Sequence, residues 1–340
     1  MKKQAYLIAI GFCAVLLLCN RIAHAQEVDY TQYYLNLAGV NPGFTGMEDY
    51  VDLKMGYRQG GNEFGVKNNN VFVSIYGALG ASSQLALKRN ALRISNLEAF
   101  EQLQSNRRLR RRQGIGGMVT SRTVGPYTSV SLNANYAYHL PISNRLNVSL
   151  GTRVAYGSQR IDFNGYTVRD QVNDLFYQQL MQSNPGNQNS LSIDFGTVIY
   201  SDRSYLALSS TNLGIKSLSG DHPLSISNKR QFSLQTGTIT QLGGPLSLNS
   251  GIKLTQAQGY DLIWAVNSRL RYKELIYLGA GYNSGSKISL LFGFSVNSKF
   301  TVNYSYDHYL SGLGSLNVNV HELVLGVGLF NTYESKSRLW

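Results

Sequence analysis

Thiols are almost missing from this 340-residue chain. The two cysteines, Cys13 and Cys19, both fall in the first 25 residues, so their removal with a leader excludes disulfides and thiolate metal sites. Histidine is scarce as well: there are five, one of them (His24) in the leader, and none at metal-ligand spacing. The 34 glycines are scattered and build no phosphate-cradling loop. Asp307-His308 and His321-Glu322 are the acid–histidine pairs that stand out, and neither comes with a positioned nucleophile. These absences argue against an enzyme and leave no cofactor to expect. No Pro-rich or Ser-rich linker and no charge-block boundary separates two cores, which favours one domain. Finally, no stretch is apolar enough for a membrane-spanning helix. The run Ala5–Leu18 is the nearest approach and falls short of the ~20 residues required.

That run is instead the core of a secretory signal peptide, residues 1–25. Lys2 and Lys3 precede it, and Ala23-His24-Ala25 places small residues at −3 and −1, predicting cleavage before Gln26. Cys19 suggests a lipid anchor, but Leu18 occupies the position where lipoprotein processing prefers a small residue.

The exported part is dominated by strict two-residue alternation. From Ser129 to Leu140 one face carries Val130, Leu132, Ala134, Tyr136, Tyr138 and Leu140; the other carries Ser129, Ser131, Asn133, Asn135, Ala137 and His139. Side chains of a strand point alternately to its two faces, and soluble strands average five or six residues. Long two-faced strands repeated to the end of a chain predict an all-β fold: a transmembrane antiparallel β-barrel in the cell outer membrane, apolar toward lipid and polar toward the lumen. About fourteen strands are expected, near 48–58, 70–79, 114–123, 128–140, 145–159, 191–200, 204–212, 229–241, 245–256, 261–271, 275–283, 286–297, 299–308 and 318–330. Links after even-numbered strands are short (Pro141–Asn144, Ser201–Arg203, Leu242–Gly244, Tyr272–Glu274, Ser298). Arg160–Ser190 and Leu213–Asn228, after odd-numbered strands, are long. Short periplasmic turns and long outer loops are the outer-membrane pattern.

One link defies it. The stretch 80–113 is the longest insert on the short-turn side, has no Gly or Pro between Gly80 and Gly114, and predicts a periplasmic helix from Lys88 to Arg112. It ends in Arg107, Arg108, Leu109, Arg110, Arg111 and Arg112. Loss of Lys2, Lys3 and Arg21 with the leader takes the formal net charge from +12 to +9, and this insert carries +6 of it. The five arginines are candidates for docking an acidic periplasmic partner or anionic lipid headgroups, against the plainer reading of a solvated helix end. Export argues against nucleic acid as the target. Arg153, Lys253, Arg269, Asp307 and Glu322 have the polar phase and point toward the lumen. They would line an anion path or be ordinary lumen charges. Tyrosines flanking strands, such as Tyr136/Tyr138, Tyr304/Tyr306 and Tyr272/Tyr277, fit aromatic girdles. In the last strand, ending at Phe330, the apolar phase flips at His321-Glu322, predicting a bulge, and Gly328 stands where an apolar side chain is expected.

After the leader the chain reads Gln32, Tyr33, Tyr34, Asn36, then Asn41, Pro42, Phe44, Gly46, followed by Tyr57-Arg58. With Gly125-Pro126, Tyr304, Tyr306, Asp307 and His321-Glu322, this pattern resembles the PorP/SprF family of outer-membrane proteins of type IX secretion and gliding motility in Bacteroidota. Two departures are Gln59-Gly60-Gly61 after Arg58, where the family usually continues Asn-Gln-Trp, and the large 80–113 insert. The resemblance implies a non-enzymatic barrel set in outer-membrane lipid that works by contact, with periplasmic secretion or motility proteins or a large surface adhesin as partners. Physically, Asn41–Gly46 is a turn that would tuck the N-terminal periplasmic segment, 26–47, into the mouth of the barrel; 331–340 would be a periplasmic tail. The alternatives are a passive porin or small-solute transporter and a soluble secreted β-sandwich.

Overall fold

A computed structural model describes residues 30–60, 68–79, 111–143, 146–162, 172–175, 178, 188–218, 229–273, 275–297, 299–310 and 319–331. The leader, the tail from 332 and most of the basic insert, including Arg107, Arg108 and Arg110, lie outside the described residues, as do much of 160–190 and residues 219–228.

The strands are β1 (Val51–Gly60), β2 (Asn68–Leu79), β3 (Arg112–Val124), β4 (Tyr127–Ser143), β5 (Leu146–Ile161), β6 (Gln188–Tyr200) and β7 (Ser204–Ser217) in the first half. The second half supplies β8 (Gln231–Gly243), β9 (Leu246–Ala257), β10 (Ile263–Tyr272), β11 (Ile276–Asn283), β12 (Lys287–Ser295), β13 (Phe300–Tyr309) and β14 (Asn319–Leu329). Each pairs antiparallel with its sequence neighbours, and β1 pairs with β14 to close the barrel. Closure satisfies every strand edge, which a sheet crossing a membrane requires. It also rules out the sandwich reading.

The packing is inside out relative to a soluble protein. On β4, Asn133, Asn135, Ala137 and His139 face inward and are buried, whereas Leu132 is 56% exposed on the outer wall. Val71, Val73, Ile75, Leu150, Leu208, Leu290, Leu323 and Leu325 extend the same outer belt. An apolar surface this extensive needs hydrocarbon around it.

Three sequence expectations need correction. Arg112 does not end a helix; it opens β3, pairing with His139 of β4. No bulge occurs at His321–Glu322, because β14 runs in unbroken register with both β1 and β13. The phase flip arises instead because Val320 and Val324 point inward, both nearly fully buried, while His321 turns outward to Tyr304, its Nδ1 2.7 Å from the phenol oxygen. Gly328 belongs to the inner face too: a Cβ there would lie 3.3 Å from the Tyr50 ring.

The N-terminal segment goes further than the barrel mouth. Residues 30–50 run through the lumen as a strap, from Tyr30 near the long-loop end to Arg112 at the short-turn end. Tyr30 donates its hydroxyl to Asn70 of β2 at 2.6 Å, and the carbonyls of Gly46, Met47 and Glu48 all accept from Arg112. Its local shape follows from its sequence. The Asn36 side chain caps the helical turn Leu37–Val40 through Gly39 N–H at 3.2 Å; Asn41 caps the 3-10 turn Pro42–Phe44 through Gly43 N–H at 2.8 Å. Gly46, with φ +73°, makes the exit bend.

Candidate functional site: a lumen filled by the N-terminal strap

At the long-loop end the strap is latched by buried charge. The Glu322 carboxylate accepts the backbone N–H groups of Thr31 and Gln32, each at 3.0 Å. It also accepts from Arg58 Nη1 at 2.9 Å, and the same guanidinium lies 3.0 Å from Asp307. Thr31 Oγ1 donates to Asp307 at 2.6 Å and accepts from Lys287 at 2.7 Å and Arg58 at 2.9 Å. Two cations, two carboxylates and one hydroxyl thus close around the start of the strap. Charges at this depth are tolerable only because each is paired.

In the middle, Tyr33 and Tyr34 are buried among lumen side chains, in one cluster with Phe72, Tyr277, Leu291 and Val324. Tyr33 accepts from Asn267 of β10 at 2.9 Å. Tyr34 lies under the Arg269 guanidinium, 3.5 Å from its ring centre, with its hydroxyl 3.5 Å from that of Tyr277. Lys253 and Arg269 are both nearly fully buried, which removes them from any open ion path at this level.

Lower down, lumen side chains bind the strap's main chain. Arg153 Nη2 donates to the carbonyls of Ala38 and Gly39 at 2.9 and 2.8 Å, while its Nη1 faces Asp194 at 3.4 Å. Asn135 donates to Ala38 O at 2.9 Å, and Ser149 to Gly43 O at 2.7 Å. His139 Nε2 stands 2.8 Å from Thr45 O, so that nitrogen carries the proton, and Tyr200 sits 3.0 Å from the other.

Room for this segment comes from a row of small residues. Gly114, Ala137, Gly151 and Gly196 are consecutive register partners across β3, β4, β5 and β6. A Cβ at Gly114 would meet Thr45 O at 2.0 Å; at Gly151, Pro42 O at 2.4 Å; at Gly196, Asn41 Oδ1 at 2.0 Å. The row is a groove cut to main-chain width.

Of the residues singled out by sequence, Gln32, Tyr33, Tyr34, Asn36, Asn41, Pro42, Phe44 and Gly46 lie in the strap, and Arg58, Asp307 and Glu322 in its latch. Tyr57 and His321 point outward and join neither. Of the arginines, Arg111 is exposed and Arg112 anchors the root of the strap, ion-paired with Asp49. Arg153, Asn135, Ser149, His139 and the glycine row were missed as strap contacts; the available cue was small or polar residues in the inner phase of consecutive strands. Arg112→Gln removes the clamp on three carbonyls, and limited proteolysis should then cut between residues 44 and 50 at least tenfold faster than in wild type, with the barrel itself intact.

A closed antiparallel membrane barrel, its lumen filled by its own N-terminal segment, is the class that fold and site define. The sequence profile of the type IX secretion system membrane protein PorP/SprF family matches residues 22–327, and the chain belongs to that family. It is therefore an outer-membrane barrel of type IX secretion. No curated protein matches it. Among solved structures it is similar to the P. putida toluene transporter TodX (TM-score 0.45, 10% identity, 90% of this chain and 96% of that one). It is also similar to Acinetobacter baumannii Omp33 (TM-score 0.45, 8% identity, 84% and 100%). A third likeness is the monoaromatic hydrocarbon channel CymD (TM-score 0.46, 11% identity, 90% and 93%). At these scores the likenesses say nothing of what passes through this barrel.

Proposed function

We propose that the protein is a contact component of a type IX secretion or gliding apparatus, exported by its 1–25 leader and working by binding periplasmic apparatus proteins or by supporting export and anchoring of a surface adhesin. The observation that carries this reading, beside the family, is the strap: a barrel whose lumen is latched shut by its own chain is poorly suited to passive solute flow. The short-turn end faces the periplasm and the long loops face the cell surface, as in outer-membrane barrels generally. The basic insert then lies at the periplasmic rim, where Arg107, Arg108, Arg110 and Arg111 dock an acidic partner. Arg112 is left out of this set because it holds the strap.

The test is a mild-detergent pull-down of the tagged protein from its native outer membrane, read by mass spectrometry. Wild type should recover periplasmic secretion or motility proteins or a large adhesin. The variant with Arg107, Arg108, Arg110 and Arg111 changed to Gln should lose them. Equal recovery by both returns these arginines to a solvated surface. No partner with either bait removes the apparatus role.

A further inference from the structure

We infer that the lumen is a polypeptide-binding site, and that the N-terminal strap is its cis occupant, holding a place that an extended segment of another protein takes in trans. This deepens the apparatus reading above and rests on it for the barrel's role, by naming the ligand class of the lumen.

The inference comes from which atoms of the strap the wall touches. Glu322, Arg153, Asn135, Ser149, His139 and Arg112 sit on four strands, β14, β5, β4 and β3, and all six bond backbone N–H or C=O groups of the strap; Asn135 and Arg112 reach the side chains of Thr45 and Asp49 as well. Such contacts are available to any chain of suitable path, as in strand-addition modes of peptide recognition, where main-chain bonds give affinity and side-chain pockets give selectivity. The glycine row adds a groove of main-chain width, since a Cβ at Gly114 or Gly151 would collide with backbone atoms. Selectivity has its own place: the level of Tyr33 and Tyr34, where Arg269, Tyr277 and Asn267 receive two aromatic side chains. The expected ligand is a stretch of about twenty residues, extended or in short turns, with an aromatic pair near its leading end and little charge.

The segment is also built as a separable insert. It pairs with no strand of the sheet, and the barrel closes through β1 and β14 without it. It is joined to β1 only through Glu48–Tyr50, of which Glu48 and Asp49 are partly buried.

The test uses the full chain with a site-specific protease sequence inserted between Glu48 and Asp49, folded intact and then cut. After cutting and washing, the barrel should release its strap and take up a fluorescent peptide of residues 26–50, saturably and one per barrel. A scrambled peptide of the same composition should not bind, and Arg153→Gln should weaken uptake at least tenfold. Heat-modifiable migration on gels reports that the barrel is still folded in each case. A cut strap that washing cannot remove overturns the inference, since the segment is then a permanent part of the wall. So does a folded, emptied barrel that ignores the peptide or binds the scrambled one as well. Peptide uptake with no apparatus protein in the pull-down would keep the lumen site and remove the secretion role; the reverse would do the opposite.

Discussion

Glu322→Ala is expected to be the most damaging single substitution in the protein. Glu322 is 1% exposed and receives Arg58 together with the N–H groups of Thr31 and Gln32. Its loss leaves Arg58 and Lys287 sharing the single carboxylate of Asp307, and strands two backbone donors, that of Gln32 buried and that of Thr31 partly so. Breaking a buried pair by removing one partner costs about 3–5 kcal/mol, and each orphaned donor adds about 1–3 kcal/mol. The latch should open before the barrel does, because the wall keeps its ladder of backbone bonds. Limited proteolysis near Tyr30–Gln32 should therefore accelerate by two orders of magnitude or more, while heat-modifiable migration persists. Glu322→Gln retains an acceptor and should show a smaller effect. Unchanged protection of the strap in Glu322→Ala would mean that the cluster does not hold it.

The second large effect concerns passage through the lumen. Purified wild-type protein in a planar bilayer should show no steady conductance, because the strap runs through the lumen with Tyr33 and Tyr34 buried against its wall. The double variant Gly114→Val, Gly151→Val should conduct in discrete steps. Valine suits a strand, so the wall tolerates it, but both new Cβ atoms meet strap backbone at 2.4 Å or less. Each such overlap costs about 1–3 kcal/mol, and eviction of the strap from β3–β6 is the cheaper response. A wild-type protein that conducts steadily would favour the porin alternative. A double variant that stays silent with its strap protected would show that the groove has slack the geometry does not reveal.

The wall was legible in the sequence because it obeys a period. Fourteen two-faced segments, an even count and alternating link lengths all derive from one constraint, lipid outside and polar groups inside. β7 shows where that reading stops. Its expected end was Asn212, but past that residue, with φ 58°, the chain re-pairs with β6 in a shifted register (Ile193 with Gly214, Phe195 with Ser210) and continues to Ser217. Such a shift leaves no mark in alternation. The strap has no period at all. Its residues were noticed through family resemblance and turn chemistry, and nothing local says that Asn41 meets Gly196 or that Tyr34 meets Arg269. Gly114, Ala137, Gly151 and Gly196 are likewise unremarkable one by one; they become a groove only once register aligns them. Arg112 was assigned by charge to its arginine neighbours, whereas pairing with His139 assigns it to the wall.

The Arg58–Glu322 contact spans the seam where the first strand meets the last, 264 residues apart in sequence. It needs both ends of the sheet present, and distant contacts are slow to form because chain entropy opposes them. The charges that hold the strap are therefore completed by the same event that removes the last two open edges. An unsealed cylinder lacks the latch at the start of its strap, and only closure of the seam completes it.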